Sequence, residues 1–401
     1  MDRPDAPGPL HRRGPRPLLL HLMLGTASST ACAAGSPNSN ACSPGGNGSA
    51  SLPGAFPPGA ILPGGAIPGA WDPALIAGIA AYRRHPFRRD LPDPPCLWRE
   101  GGSRLLDYAV PGAEASTPVL FVPSLINRAY VLDLAPGRSM LRFLAAQGVR
   151  PLLLDWGWPG EAERRFTLTD YVAGRLERAL DAVGRPAILT GYCMGGLLAL
   201  AAAQRRPERV RGLALLATPW DLHAPDPAVA RVAQFLPALE PALAATGTLP
   251  VDALQTLFAL LDPGGVAAKY RAFGRLPQEG ERAQLFVALE DWLNDGIPLA
   301  APVARECLGG WYGANTPARG AWRVAGLPVD PAAPRRPAFI AVPDRDRIVP
   351  PEGALPLARL IEGARLHRPR AGHVGMVAGS NAETALWRPL LDWIRAVESL
   401  A

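Results

Sequence analysis

The chain has 401 residues, 48% of them hydrophobic, and a formal net charge of +6. That is enough apolar material for a large core, and the charge is modest for the length. Its cations are nearly all arginine, with Lys269 the single lysine, and they are scattered rather than gathered into a stripe, which argues against nucleic acid as a partner. No stretch reaches the ~18 unbroken apolar residues of a transmembrane span. The five cysteines (Cys32, Cys42, Cys96, Cys193, Cys307) form no C-x-x-C pair and no metal-ligand spacing. An odd number argues against a fully paired secreted framework and points to a reducing cytoplasm.

Residues 1–70 are rich in Pro, Gly, Ala, Ser and Asn, bury too little apolar surface to offset ordering entropy, and read as a disordered tail. The apolar run from Leu18 to Leu24 loosely resembles a secretory signal. It is short, interrupted by His21 and preceded by Asp2 and Asp5, so it is read as part of the tail. Order is expected from Trp71, with Asp72-Pro73 as N-cap and first residue of a helix to Tyr82. Strands are expected over 105–110, 119–122, 151–156, 187–192, 212–216, 338–342 and 365–368. Helices are expected over 139–146, from Thr169 or Asp170 to Val183, over 194–205 and over 383–399. Strands alternating with helices imply a mostly parallel sheet covered on both faces. Residues 221–330 interrupt that alternation with helical spacing of Phe235, Leu257, Phe258, Trp292, Trp311, Tyr312 and Trp322. They read as a helical cap between two parts of one core, 71–220 and 331–401, with its aromatics packed inside rather than on a substrate.

The chemistry centres on Gly191-Tyr192-Cys193-Met194-Gly195-Gly196, between a buried strand and a helix. G-x-C-x-G there has the pattern of the nucleophile elbow of α/β-hydrolases, with cysteine at the serine position. Glycines two before and two after the nucleophile let strand and helix approach, and the helix N-terminus favours a thiolate and an oxyanion. In that fold the order is nucleophile, acid, histidine. Asp346 follows the strand 338–342, with Asp344 as the alternative, a loop cap or partner of Arg345. His373 follows the next strand and precedes the last helix, whereas His11, His21, His85, His223 and His367 fit worse. The triad is therefore expected to be Cys193, Asp346 and His373. Of the two oxyanion-hole donors, one is expected at the N–H of Met194, the other in the loop 123–127 at Leu125, or else Ile126.

These residues resemble the polyhydroxyalkanoate synthases, and in particular their short, two-subunit class. Gly191-Tyr192-Cys193-Met194-Gly195-Gly196 is similar to the family's cysteine lipase-box. Pro123-Ser124-Leu125-Ile126-Asn127-Arg128-Ala129-Tyr130-Val131-Leu132-Asp133-Leu134 is similar to its oxyanion loop. Asp155-Trp156-Gly157-Trp158-Pro159 and Phe166-Thr167-Leu168-Thr169-Asp170-Tyr171-Val172 look like short-chain signatures. Asp346-Arg347-Ile348-Val349-Pro350 and Gly372-His373-Val374-Gly375 match the acid and histidine motifs, with arginine at 347 where histidine commonly stands. The resemblance implies an α/β-hydrolase fold and an acyltransferase that polymerises 3-hydroxyacyl-CoA through a Cys193-bound acyl group, releasing CoA. It implies no metal and no organic cofactor, a polyester granule surface and a second synthase subunit or second copy as partners, and a cytoplasmic or granule-associated location.

The chemistry agrees. A thiol attacking an acyl-CoA exchanges one thioester for another and keeps the acyl group activated, which suits repeated transfer. Two other readings keep the fold: a cysteine-dependent thioesterase, esterase or polyester depolymerase with water as acceptor, and a silent granule-binding protein.

Overall fold

The computed structural model describes residues 12–18, 20–21, 72–262 and 264–400. Eight strands form one sheet: β1 Cys96–Glu100, β2 Ser103–Asp107, β3 Pro118–Val122, β4 Arg150–Asp155, β5 Ala187–Tyr192, β6 Val210–Leu216, β7 Ala338–Ala341 and β8 Arg365–His367. Their order is β1-β2-β4-β3-β5-β6-β7-β8. β1 and β2 pair antiparallel, as do β2 and β4, and the remaining pairs are parallel. Neighbouring residues serve opposite faces. Leu152 and Leu154 pack with Leu189, Leu197 and Leu213 on one side, while Leu153 packs with Phe121, Ile188 and Phe339 on the other. Burial on both faces is why the central strands read as continuous apolar runs rather than alternating ones.

The first face is covered by α3 Glu177–Val183 and α4 Met194–Arg205, the second by α2 Met140–Ala146 and α11 Arg388–Glu398. The chain thus leaves β3 toward one face and β5 toward the other. Such a switch point opens a crevice beyond the carboxyl ends of those two strands. The helix expected from Thr169 or Asp170 is capped instead by Thr167, whose hydroxyl accepts the Asp170 N–H at 3.3 Å while Asp170 accepts the Thr167 N–H at 2.8 Å. Its first turns, Asp170–Leu176, are π-helical. The hairpin strand β1 carries no sequence signal, because as an edge strand it buries little.

Between β6 and β7 the chain makes the expected helical excursion, with α5 Leu236–Thr246, α6 Val251–Ala259, α7 Gly265–Phe273, α8 Glu281–Asn294 and α9 Ala301–Arg305. The first helix, α1 Pro73–Arg84, joins this layer rather than the sheet. Its face Leu75, Ile79 and Tyr82 packs on Tyr270, Phe273 and Val287 of α7 and α8. Gly78 permits the contact, since a Cβ there would lie 2.0 Å from the Tyr270 carbonyl oxygen. The tail reading also changes for residues 12–18 and 20–21. Arg12 makes a two-pronged ion pair with Asp291 of α8, at 2.7 and 2.9 Å, and donates to the carbonyls of His85 and Phe87. The rest of the tail, with Trp71, lies outside the described residues. Among those described, no helix is long and apolar enough to cross a membrane.

Candidate active site

Cys193 sits between β5 and α4 with φ 56° and ψ −129°. Side chains rarely adopt that region, and holding one there costs about 1–3 kcal/mol. The surroundings enforce it: the Cys193 N–H donates to Leu216 O at 2.8 Å, and its own carbonyl accepts the Gly196 N–H at 2.9 Å. The glycines are there for approach. A Cβ on Gly191 would lie 2.4 Å from Gly196 Cα, one on Gly195 2.1 Å from Val122 O, and one on Gly196 1.8 Å from Thr218 Oγ1. Gly196 was not singled out from the pattern, yet it is packed as tightly as the two glycines that were.

Acid and base arrive together because two loops run side by side beyond β7 and β8. Val342 N–H donates to His367 O, Asp344 N–H to Pro369 O and Arg345 N–H to Ala371 O, at 2.9, 3.0 and 3.0 Å. Parallel pairing thus continues past the strands and delivers Asp346 beside His373, which opens α10 His373–Ala378. His373 Nδ1 lies 2.6 Å from Asp346 Oδ2. The other carboxylate oxygen accepts the N–H groups of Ile348 and Val349, each at 2.9 Å. Asp346 and His373 are 4% and 7% exposed. With Nδ1 engaged by the carboxylate, Nε2 is the ring nitrogen left free, and His373 and Cys193 line the same cavity. Burial alone would lower the histidine's pKa. Cys193 beside the ring, with the hydrogen bond and charge of Asp346, outweighs it and holds the pKa up, at about 10.

The other carboxylate candidate is elsewhere. Asp344 pairs with Arg368 at 2.6 Å rather than with Arg345. The remaining described histidines are tied to backbone carbonyls: His21 to Arg16, His85 to Gln278, His223 to Tyr312 and His367 to Ala385. Tyr192, inside the motif but given no role from sequence, packs its ring 5.1 Å from the His373 ring and donates its hydroxyl to His373 O at 3.3 Å.

Met194 opens α4, so its N–H has no carbonyl partner within the helix. Across the switch point, the loop after β3 carries Leu125. The N–H of Ile126 is committed to Ser124 Oγ at 3.0 Å, which favours Leu125 over Ile126 as a donor. Above Cys193 is a largely apolar cavity of about 330 Å³. Four of the cap aromatics expected to be packing residues, Phe258, Trp292, Trp311 and Tyr312, line it, whereas Phe235 is exposed and Trp322 is buried in the core. Cys307 also lines it, but burial pushes its thiol up and keeps it protonated. A larger cavity of about 560 Å³ lies beyond the 127–130 turn and holds no nucleophile. Three of the arginines there pair with carboxylates, Arg12 with Asp291, Arg104 with Asp155 and Arg89 with Asp133. Among the described residues no group of three or more His, Cys, Asp or Glu is arranged to hold a metal ion.

A family model described as the alpha/beta hydrolase fold matches residues 117–379. The chain belongs to that family. This α/β-hydrolase is 32% identical over 308 residues to the poly(3-hydroxyalkanoate) polymerase subunit PhaC of Haloferax mediterranei, covering 74% of its own length and 62% of that protein's. It is 28% identical over 286 residues to the PhaC subunit of Allochromatium vinosum, covering 69% of this chain and 80% of that one. With the PhaC subunit of Haloarcula marismortui it shares 29% identity over 314 residues, 74% of this chain and 66% of that one. The chain therefore spans less than two thirds of the length of the Haloferax relative. The resemblance read from the motifs extends through most of the chain.

Proposed function

We propose that this protein is a polyhydroxyalkanoate synthase-like acyltransferase that polymerises 3-hydroxyacyl units from CoA thioesters. The observation that carries the reading is a cysteine at the elbow that shares its cavity with a histidine oriented by Asp346 at 2.6 Å. Similarity to proteins named poly(3-hydroxyalkanoate) polymerase subunits supports it.

The Cys193 thiolate attacks the thioester carbonyl, forming a C–S bond and a tetrahedral oxyanion held by the N–H groups of Met194 and Leu125. Losing one such donor typically costs ~3 kcal/mol in the barrier. Collapse breaks the bond to CoA, whose sulfur takes the proton from the His373 imidazolium and leaves as the thiol. Acylation removes the charge on Cys193, the largest influence raising the His373 pKa. The imidazole thus becomes a base when one is next required. It accepts the proton of the 3-hydroxyl of the next unit or of the chain end, and that oxygen attacks the Cys193 thioester. An ester forms, the C–S bond breaks, and the thiolate–imidazolium pair returns. Asp346 holds the tautomer throughout. The reading requires no metal or organic cofactor, and it places the enzyme in the cytoplasm or on a polyester granule, with a second synthase subunit or a second copy as partner.

The test is purified protein with 3-hydroxybutyryl-CoA, following free CoA and acyl product together, alongside Cys193→Ala, with and without a candidate second subunit. CoA release with insoluble polyester, absent in the variant, is the expected result. CoA release with only monomeric hydroxy acid would make the protein a hydrolase with this site intact. No release under either condition would overturn the reading.

A further inference from the structure

We propose that the cap assembles the oxyanion hole, with Trp292 and Gln255 as positioning residues for the loop that carries Leu125. The inference rests on the acyl-transfer reading of Cys193. The base of the loop is held by the core: Trp156 Nε1 donates to Pro123 O at 2.9 Å, with both groups buried. Beyond Leu125, residues 127 and 128 take hydrogen bonds from the cap. Trp292 Nε1, on α8, donates to Arg128 O at 2.7 Å. Gln255 Nε2, on α6, donates to Asn127 Oδ1 at 3.3 Å and to Leu293 O at 3.2 Å. Tyr130 and Arg128 both lie near enough to Asp295, just past the end of α8, to interact electrostatically with its carboxylate. Asn127 itself sits at φ 66°, in the left-handed region that few non-glycine residues enter. Its side chain accepts a hydrogen bond from Gln255 of the cap, which ties the turn at this residue to α6.

The consequence is functional rather than only structural. Oxyanion donors act when they lie 2.7–3.1 Å from the developing charge, at about the hydrogen-bond optimum. A misplacement of ~1 Å costs on the order of 10²-fold in rate. The indole of Trp292 fixes the peptide plane that follows Arg128, three residues from Leu125. A cap displaced from the core would leave Cys193, His373 and Asp346 intact and the hole incomplete.

Trp292→Phe keeps an aromatic ring in the core and removes the donor to Arg128 O. The expected result with 3-hydroxybutyryl-CoA is a fall in kcat of about 10-fold or more with KM little changed, because the loss is confined to the transition state. Gln255→Leu, at a partly exposed position, should fall in the same direction by less. Two further readouts separate positioning from damage. Alkylation of Cys193 by iodoacetamide forms no tetrahedral oxyanion, so its rate should be unchanged in both variants. A trifluoromethyl ketone analogue of the acyl thioester adds reversibly to the thiolate and does form one, so its affinity should fall by the same factor as kcat. Unchanged turnover in both variants, or alkylation falling in step with turnover, would overturn the proposal. Should the wild-type chain release no CoA, the acyl-transfer reading fails, and analogue affinity decides alone: equal affinity in wild type and Trp292→Phe overturns the positioning role.

Discussion

At Cys193 and His373 the decisive quantity is where one proton resides. The histidine pKa stands at about 10 in spite of burial because Cys193 and the Asp346 carboxylate act on it. Cys193→Ser removes the sulfur charge, and the His373 pKa should drop; the imidazole proton resonances followed through a pH titration read this directly. Asp346→Asn removes both the hydrogen bond and the charge. Turnover should then fall on the order of 10⁴-fold, as the histidine adopts the wrong tautomer. The same shift has a stability consequence. A histidine whose folded pKa is raised above its ordinary value of 6.5 contributes stability that is fully present below about that pH and is lost as pH rises toward about 10. The difference in unfolding midpoint between wild type and His373→Ala should therefore narrow across that window. A difference that widened with pH would mean that the proton is not held in the folded state.

The element that makes this proton useful is the turn between β5 and α4. Gly195→Ala would place a methyl 2.1 Å from Val122 O, a backbone atom that cannot swing aside as a side chain could. Overpacking of this kind costs about 1–3 kcal/mol, and here it would also push α4 off the loop that carries Leu125. The expected outcome is a lowered unfolding midpoint together with turnover lost by more than stability alone explains. This turn was legible in the sequence because its steric demand is written as glycines at fixed offsets. Asp346 and His373 were legible for a related reason: each follows a strand in the order the fold requires. The cap aromatics were only partly so. Trp292 is buried in the core as its spacing predicts and lines the cavity as well, and the path of α6 brings the partly buried Phe258 to the same cavity. β1 escaped because an exposed edge strand has no apolar alternation to read.

Over the whole molecule, the question is what seats the cap. Arg12 joins two parts of the chain at once: Asp291 of α8, and the carbonyls of His85 and Phe87 in the connector after α1. Composition hides this contact, since a single arginine in a Pro/Gly-rich tail meets a carboxylate 279 residues away. Tyr82 of α1 donates to the same carboxylate at 2.9 Å. Arg12→Ala would leave Asp291 with that one neutral partner in a partly buried setting, and the loss of a charge-assisted bond costs about 1.5–3 kcal/mol. The next residue on α8 is Trp292, whose indole reaches the loop at Arg128. Loosening Asp291 should therefore be felt at the oxyanion hole through a single helix. Arg12→Ala should lower the denaturant midpoint, speed hydrogen exchange along α8, and reduce kcat less than Trp292→Phe does. If the midpoint falls while α8 exchange and kcat stay as in the wild type, the amino-terminal segment braces α1 alone and the cap is seated by its packing on the core.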